Sequence, residues 1–525
     1  MIPAFRSIAF AAAMAGIAAF PTVAVAQSTI RIAMHSDLKI VDPVTTTAYI
    51  TRNHGYLVWD TLFAIDATYA IKPQMVDTWT TSADGLTWTF TLRDGLEWHD
   101  GTPVTSEDCI ASIKRFAKRD VLGLKFSEFV KEYAAEGQRT FKIILKEPFG
   151  LVLDTLGKAS LSPLFMMPKR LADQDAAKQI EPNQVIGSGP FIFKADEWKP
   201  GSRVVYVKNP KYKPRAEPPS GLAGGKVAHV DRVEWHWIPD AQTQINALLQ
   251  NEIDIVETVP IDLMSLLEKD PNINVGKLAD LQYFLRMNWL QPPFKDNPKL
   301  RRAVQMALDQ TEMLQGAVGD PRFLRICRSF FPCGSPLADE APLKGWVEGN
   351  AAKARDLVKE SGYDGTPVVI INASDVATLA PLGPIVKAQL ERAGIKVDLQ
   401  AQDWSTVIAR IRKKDPPAQG GWNIVMSALQ LTDVLNPLTH SSFNMNCQTS
   451  INGWPCDNDM EALRDQFARA AQPDQRKQLA SKILARQAEV VAAVPLGEFS
   501  WVGAARKSIE RLNAPVTVFW GMKKQ

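Results

Sequence analysis

Long apolar runs are absent from this 525-residue sequence after its N-terminal stretch. A membrane-spanning helix needs about 20 consecutive apolar residues, so no span is expected in the body of the chain. A large excess of charge of one sign is also absent, because 60 Lys and Arg are nearly balanced by 57 Asp and Glu, which gives a formal net charge of +3. This balance argues against nucleic acid or an anionic membrane as the main partner. Internal repeats, low-complexity tracts and blocks of like charge are also missing.

Motifs of common catalytic sites are missing too. None of the six histidines forms an HExxH helix, and no GxSxG elbow, Walker loop or CxxC pair is present. We therefore expect no enzyme, no catalytic residue, no cofactor and no metal site. A catalytic site assembled from distant residues would leave no such motif, so a secreted hydrolase stays open as an alternative.

The N-terminus has the pattern of a secretory signal peptide. Arg6 supplies one positive charge, residues 8–20 are apolar and Ala-rich, and Ala24-Val25-Ala26 is an A-x-A cleavage pattern. Cleavage after Ala26 would leave Gln27 as the first mature residue. No cysteine lies near this position, so a lipid anchor is not expected, and the predicted location is the periplasm. An uncleaved N-terminal membrane anchor is the alternative.

Five cysteines in an exported chain are expected to be largely oxidised. Cys327 lies close to Cys333 in the sequence, and Cys447 lies close to Cys456, both pairs in loops rich in Pro, Gly or Asn. We therefore predict two local disulfides, Cys327–Cys333 and Cys447–Cys456, each contributing about 2–3 kcal/mol at most. Cys109 shares a predicted helix face with apolar residues, so a buried thiol is expected there.

The later part of the chain predicts an α/β fold. Strands are predicted at 367–372, 395–399 and 422–429, with helices at 377–393 and 405–414 between them. This alternation is typical of βαβ units and a largely parallel sheet. Ligands of such sheets bind at the carboxyl ends of the strands. That rule selects residues 372–375, 402–404 and 429–433 as pocket candidates in this part of the chain.

The segment TWTFTLRDGLEWHDGTPVTSEDC (Thr87–Cys109) is the most recognisable part of the sequence. It begins with the strict alternation of a half-buried strand, and Thr105 with Asp108 forms a helix N-cap pattern. As a string, it resembles the extracytoplasmic solute-binding proteins of the dipeptide, oligopeptide and nickel family, family 5, which serve ABC importers. The segments Phe284–Asp309 and Val494–Phe499 (VPLGEF) resemble the same family, so the likeness covers essentially the whole mature chain.

The resemblance implies a two-lobed periplasmic binding protein fold of type II, with an extra subdomain and a hinge between the lobes. The expected division is as follows: signal peptide 1–26; lobe I in three pieces, 27–52, 186–283 and 495–525; extra subdomain 53–185; lobe II 284–494.

It also implies capture of a small solute, such as a short peptide or an opine, between the lobes. The solute would then be delivered to an ABC permease, the protein being a monomer that binds no nucleic acid. The alternatives are a secreted hydrolase and a periplasmic scaffold or chaperone without a transported solute.

The resemblance also suggests ligand-binding residues. Trp404, in QDW, and Asp433, in TDVLNP, match positions that contact peptides in relatives, and both are expected to face an open, hydrated cleft. Leu429 stands where peptide binders carry an aromatic residue, which puts a standard peptide ligand in question. Trp404 could instead be a core residue, and Asp433 a helix cap or a surface acid.

The segment around residue 50 supplies a second group of candidates. Tyr49, Arg52, Asn53 and His54 bring polar and aromatic groups together where the chain would pass from one lobe to the other. A His or Arg in the cleft could donate hydrogen bonds to the solute. The alternative is an amphipathic helix with an exposed polar face.

Overall fold

The computed structural model describes residue 1 and residues 28–447, 450, 452–512 and 514–525. Apart from Met1, the predicted signal peptide lies outside the described residues, and so does Gln27. Within the described ranges, no helix is both long enough and apolar enough to cross a membrane.

Strands and helices alternate along the chain. The strands are β1 (Thr29–Ala33), β2 (Phe63–Ile65), β3 (Ile71–Pro73), β4 (Val76–Thr81), β5 (Thr87–Leu92), β6 (Val130–Ala135), β7 (Thr140–Leu145), β8 (Phe191–Phe193), β9 (Arg203–Lys208), β10 (Arg232–His236), β11 (Ile255–Val256), β12 (Ile273–Met287), β13 (Leu324–Arg325), β14 (Val368–Ala373), β15 (Val397–Gln402), β16 (Ile424–Gln430), β17 (Ala493–Arg506), β18 (Ile509–Glu510) and β19 (Lys523–Lys524). The α-helices are α1 (Tyr49–Val58), α2 (Ser106–Phe116), α3 (Val121–Phe129), α4 (Val152–Leu156), α5 (Lys169–Ala172), α6 (Ala241–Leu249), α7 (Ile261–Leu267), α8 (Pro298–Ala307), α9 (Gln310–Ala317), α10 (Ala351–Glu360), α11 (Leu382–Arg392), α12 (Trp404–Arg410), α13 (Asn458–Arg469) and α14 (Pro473–Val490).

One large sheet runs through both lobes in the order β15-β14-β16-β12-β17-β11-β1-β10-β9-β8, and β13 pairs with β17. The long strands β12 and β17 join the two ends of this sheet as an antiparallel pair. The prediction of a largely parallel sheet holds for β14, which is parallel to both β15 and β16. Parallel pairing recurs where β1 lies between β10 and β11, but the prediction is wrong for β12, which runs antiparallel to both β16 and β17.

A separate four-stranded sheet, β4-β5-β7-β6, lies in the segment expected to form the extra subdomain. Its strand β5 contains the alternating Thr, Trp and Phe residues, with Phe90 and Leu92 buried. The predicted cap of the following helix α2 is present, since Thr105 and Asp108 form a capping box. The expected boundaries at residues 52/53 and 283/284 fall inside α1 and β12, and the division into lobes stays a prediction.

Both predicted cysteine pairs are at bonding distance. The sulfur atoms are 2.02 Å apart in Cys327–Cys333 and 1.99 Å apart in Cys447–Cys456. Cys109 is free and buried on α2, and burial raises the pKa of its thiol.

One thiol per chain is therefore expected when the oxidised protein is denatured without a reductant. Five thiols are expected after reduction. The native protein should not react with a maleimide, because a buried thiol of raised pKa is neither accessible nor ionised. A thiol assay on freshly prepared material checks these numbers, and three or five thiols before reduction would contradict the pairing.

Candidate functional site

A cavity of about 360 Å³ lies between two parts of the molecule, one containing residues 65–159 and the other residues 335–477. These two parts are called the halves below. One wall consists of residues 65–71 and 153–159, and the other includes residues 335–337 and 432–439. This volume is within the range of about 300–1,000 Å³ that is typical of ligand pockets. Apolar side chains form much of the lining: Ile65, Ile71, Leu153, Leu337, Leu435 and Phe467.

A second cavity of about 290 Å³ adjoins the first. It is lined by residues 277–280 of β12, by residues 514–515, and by Tyr69 and Thr432, which also line the first cavity. The two cavities are therefore parts of one cleft, and Tyr69 and Thr432 lie at their junction.

Two buried hydroxyl groups in the larger cavity lack hydrogen-bond partners. Thr432 is 5% exposed and Ser335 is 9% exposed, and neither side-chain oxygen finds a partner within the described part of the chain. A buried polar group without a partner costs about 1–3 kcal/mol, so native structures contain few of them. Both oxygen atoms are almost fully covered, so a polar solute would satisfy them only where the lining side chains move to admit it.

Three of the charged side chains that line this cavity form ion pairs. Lys158 pairs with Asp120, and Arg476 Nη1 lies 3.1 Å from Asp154 Oδ2. Burial raises the pKa of Asp154, although the charge of Arg476 opposes the shift. Asp474 and Lys477 also line the cavity, so charged groups as well as apolar side chains can contact a solute.

Helix α1 contributes a polar network that connects the two halves. The Tyr49 hydroxyl donates to Asp433 Oδ2 at 2.5 Å. The Arg52 guanidinium donates to the Gln430 side chain, and to Ser160 Oγ at 2.7 Å. The structure therefore brings together three of the predicted residues, Tyr49, Arg52 and Asp433.

Asn53 extends this network into lobe I. Its amide oxygen accepts from Arg52 Nη2 at 2.8 Å, and its amide nitrogen donates to Glu257 Oε1 at 3.2 Å. Glu257 lies 2.7 Å from His35 Nδ1 and accepts from Thr517 at 2.6 Å. Burial opposes ionisation, but His35 and Thr517 hold the pKa of Glu257 below its ordinary value. The network is continuous from Asp433 to His35.

Asp433 does not face an open, hydrated cleft, which corrects the sequence-based expectation. Its side chain is covered by Tyr49, and the residue is only 3% exposed. Burial raises the pKa of Asp433, while the Tyr49 hydrogen bond and the charge of Arg52 lower it. A buried carboxylate is tolerated here because a hydroxyl donor and a guanidinium lie beside it.

His54 lies in an aromatic cluster that α1 forms with β8 and β9. Its ring is fully buried, makes edge contacts with Trp59 and Phe193, and places Nδ1 2.8 Å from the Tyr206 hydroxyl. Burial lowers its pKa to about 3, so the ring is neutral at ordinary pH. His54 is on the opposite side of α1 from the Asp433 contact.

Trp404 and Leu429 are half-buried and lie outside both cavities as the described residues define them. Trp404 begins α12, and its backbone N–H donates to Asp375 Oδ1 at 2.7 Å. The carboxyl ends of β14 and β15 do converge, as predicted, but Trp404 shares no cavity with Asp433. Leu429 lies in β16, opposite Gln282 of β12.

Sequence reasoning missed Tyr69, Thr432 and Ser335. Thr432 was within the selected range 429–433, but it was not singled out from its neighbours. Residues 66–70 could have been recognised as a turn, because Asp followed by Thr two positions later is typical of side-chain-bonded turns. Nothing local indicates that this turn reaches the cleft.

The chain matches the family model described as bacterial extracellular solute-binding proteins, family 5 Middle, over residues 70–446. It is also 38% identical, over 96% of its length and 94% of the relative's, to a probable peptide ABC transporter periplasmic-binding protein of Sinorhizobium fredii. The protein belongs to family 5 of the extracellular solute-binding proteins. The resemblance found in the sequence is confirmed.

Solved structures agree on the fold. The dipeptide-binding protein of Pseudoalteromonas sp. SM9913 in complex with Met-Leu has a TM-score of 0.74 at 18% identity, covering 95% of this chain and 100% of that one. The periplasmic binding protein DppA of Helicobacter pylori, in complex with peptide STSA, has a TM-score of 0.73 at 22% identity, covering 95% and 98%. The two-lobed α/β fold is confirmed, and the hydrolase and scaffold alternatives find no support in these comparisons.

Proposed function

We propose that this protein is the periplasmic component of an ABC importer and that it captures a short peptide, or a solute of similar size and polarity, in the cleft between its lobes. It would release the solute to a membrane permease without chemical change. Membership of family 5 supports the solute-binding role. The name of the Sinorhizobium fredii relative supports the peptide class.

The observation that carries the proposal is a cavity whose lining combines apolar side chains with hydroxyl, amide and charged groups. Thr432 and Ser335 are buried without partners among the described residues, while Leu153, Leu435 and Phe467 line the same cavity. Peptides combine amide groups, which can satisfy the hydroxyls, with side chains that can bury apolar surface. The cavity chemistry therefore fits a peptide.

Capture would proceed by closure of the lobes. The strands β12 and β17 connect the two ends of the large sheet, so bending in this pair can change the opening between the halves. A solute that contacts both halves binds the closed form better than the open form and shifts the equilibrium towards it. The permease would then recognise the closed form.

The test begins with the solute itself. Mass spectrometry of material released from purified protein by gentle denaturation, followed by calorimetric titration with short peptides, should identify a saturable ligand. Incubated peptide should be recovered intact. Absence of binding to any peptide, or cleavage of the peptide, would contradict the proposed function.

Thr432→Val should weaken binding of that ligand about three- to tenfold, because one net hydrogen bond contributes about 0.5–1.5 kcal/mol. The melting temperature of the ligand-free protein should be unchanged or slightly higher, since the hydroxyl has no partner among the described residues. Thr311→Val, at an exposed position of α9, is the matched control and should bind as wild type. Unchanged affinity of Thr432→Val would place the solute elsewhere.

A further inference from the structure

The tip of the β2–β3 hairpin is held in one conformation by its own hydrogen bonds. Asp66 Oδ1 accepts from Thr68 N at 2.8 Å, from Thr68 Oγ1 at 2.7 Å and from Ala70 N at 3.0 Å. The tip is also tied to lobe I, because Ala67 N donates to Ser220 Oγ at 3.2 Å. These contacts make the tip a rigid support for Tyr69, the largest of its side chains that line the cleft.

The backbone of Tyr69 has a positive φ of 64°. A bulky residue rarely adopts this conformation, and it persists only where the surrounding contacts determine it. The Tyr69 N–H donates to Asp66 O at 3.0 Å, which closes the turn. The turn therefore places the phenol ring between the halves.

Tyr69 lies at the junction of the two cavities. It lines both the cavity of about 360 Å³ and the cavity of about 290 Å³, with Thr432 facing them from the other half. Burial and the charges of Asp280 and Glu498 raise the pKa of Tyr69, so the phenol is neutral at ordinary pH. The two cavities meet where Tyr69 and Thr432 line both of them.

We infer that Tyr69 divides the cleft into two subsites and limits the length of the peptide that the protein accepts. Each cavity alone is near the lower end of the range of about 300–1,000 Å³ for ligand pockets. A dipeptide-sized solute fits one subsite, whereas a longer peptide has to pass the ring. This inference rests on the proposed function, since it concerns the length of the same solute.

The test is a calorimetric titration with peptides of two, three, four and five residues that share one N-terminal dipeptide. Wild type should prefer the shortest peptides. Tyr69→Ala should shift the ratio of affinities about tenfold or more towards the longer ones, comparable with pocket-size discrimination in other proteins. Tyr69→Phe is the matched control, because it keeps the ring, and it should preserve the wild-type ratio.

Tyr69→Trp provides a second variant if Tyr69→Ala does not fold. A larger ring should make the discrimination against long peptides stricter. If Tyr69→Ala has the same ratio of affinities for short and long peptides as wild type, the division into subsites is overturned. Where Tyr69→Ala does not fold, the wild-type ratio in Tyr69→Trp overturns it. In both cases the proposed function would stand. If wild type binds none of the peptides, the proposed function fails, and the inference about length falls with it.

Discussion

Replacing Arg115 with methionine is expected to lower the free energy of unfolding by about 3–5 kcal/mol, because one partner of a buried ion pair is removed and the other is left. Arg115 of α2 places Nη2 2.7 Å from Asp42 Oδ2, with the two side chains 1% and 0% exposed. The same guanidinium donates to the carbonyl oxygens of Gln174 and Lys178 at 2.9 and 3.2 Å. The Arg115 side chain therefore holds three segments together: helix α2, the segment around residue 42, and residues 174–178.

Urea denaturation followed by tryptophan fluorescence measures this effect. Arg119→Met is the matched control, because Arg119 is exposed just beyond the end of the same helix and should change stability by less than about 0.5 kcal/mol. Arg115→Met/Asp42→Leu should recover part of the loss, since no unpaired charge remains buried. A loss below about 1 kcal/mol for Arg115→Met, close to the effect of an ordinary surface substitution, would show that the pair contributes little.

Asp433→Asn is expected to reduce both stability and affinity. The stability loss should be about 1–3 kcal/mol, because the buried Arg52 guanidinium keeps its charge while the neighbouring negative charge disappears. Asp433 lies behind Tyr49 and lines neither cavity, so it can bind an ammonium only when the Tyr49 hydroxyl moves away. With that contact formed in the wild type, affinity for a peptide with a free amino group should fall about ten- to a hundredfold in the variant, because a charge-assisted hydrogen bond contributes about 1.5–3 kcal/mol. An Asp433 that faced an open, hydrated cleft, as expected from the sequence, would have left the melting temperature almost unchanged.

Two controls separate these roles of Asp433. An N-acetylated peptide has no ammonium, so its affinity should be affected much less by Asp433→Asn. Tyr49→Phe removes the hydroxyl donor but keeps the carboxylate, and it should lower stability by about 0.5–1.5 kcal/mol while retaining the preference for the free amine. Equal losses for both peptides in Asp433→Asn would mean that Asp433 only links the halves. Calorimetric titrations and thermal melts of the same variants give both quantities.

Features that depend on neighbouring residues could be predicted well. The alternation in β5 and the capping box of α2 follow from side chains within a few positions of each other, and both are present. The three parallel strands β14, β15 and β16 were also found, because each has its own apolar pattern. The direction of β12 was not predicted, because pairing between strands that are distant in the sequence leaves no local pattern.

Only part of the candidate site could be predicted from sequence patterns. Tyr49, Arg52, Asn53 and His54 were chosen as a group, but α1 turns His54 towards β8 and β9 and Tyr49 towards Asp433. Tyr49, Arg52 and Asn53 share one face of the helix through their i, i+3, i+4 spacing, whereas His54 is rotated about 140° from Tyr49. The side that each one faces depends on what packs against the helix.

Family membership, the local cysteine pairs and the main α/β segments could be predicted from the order of the residues. Those features are encoded by identity and spacing along a short stretch of chain. The cleft was decided by tertiary structure: Tyr69 and Thr432 line the same two cavities, and Tyr49 covers Asp433, although each pair is far apart in the sequence. Burial and pairing of this kind arise only when separate segments are packed against each other, because it is packing that removes water from a polar group and supplies its partner.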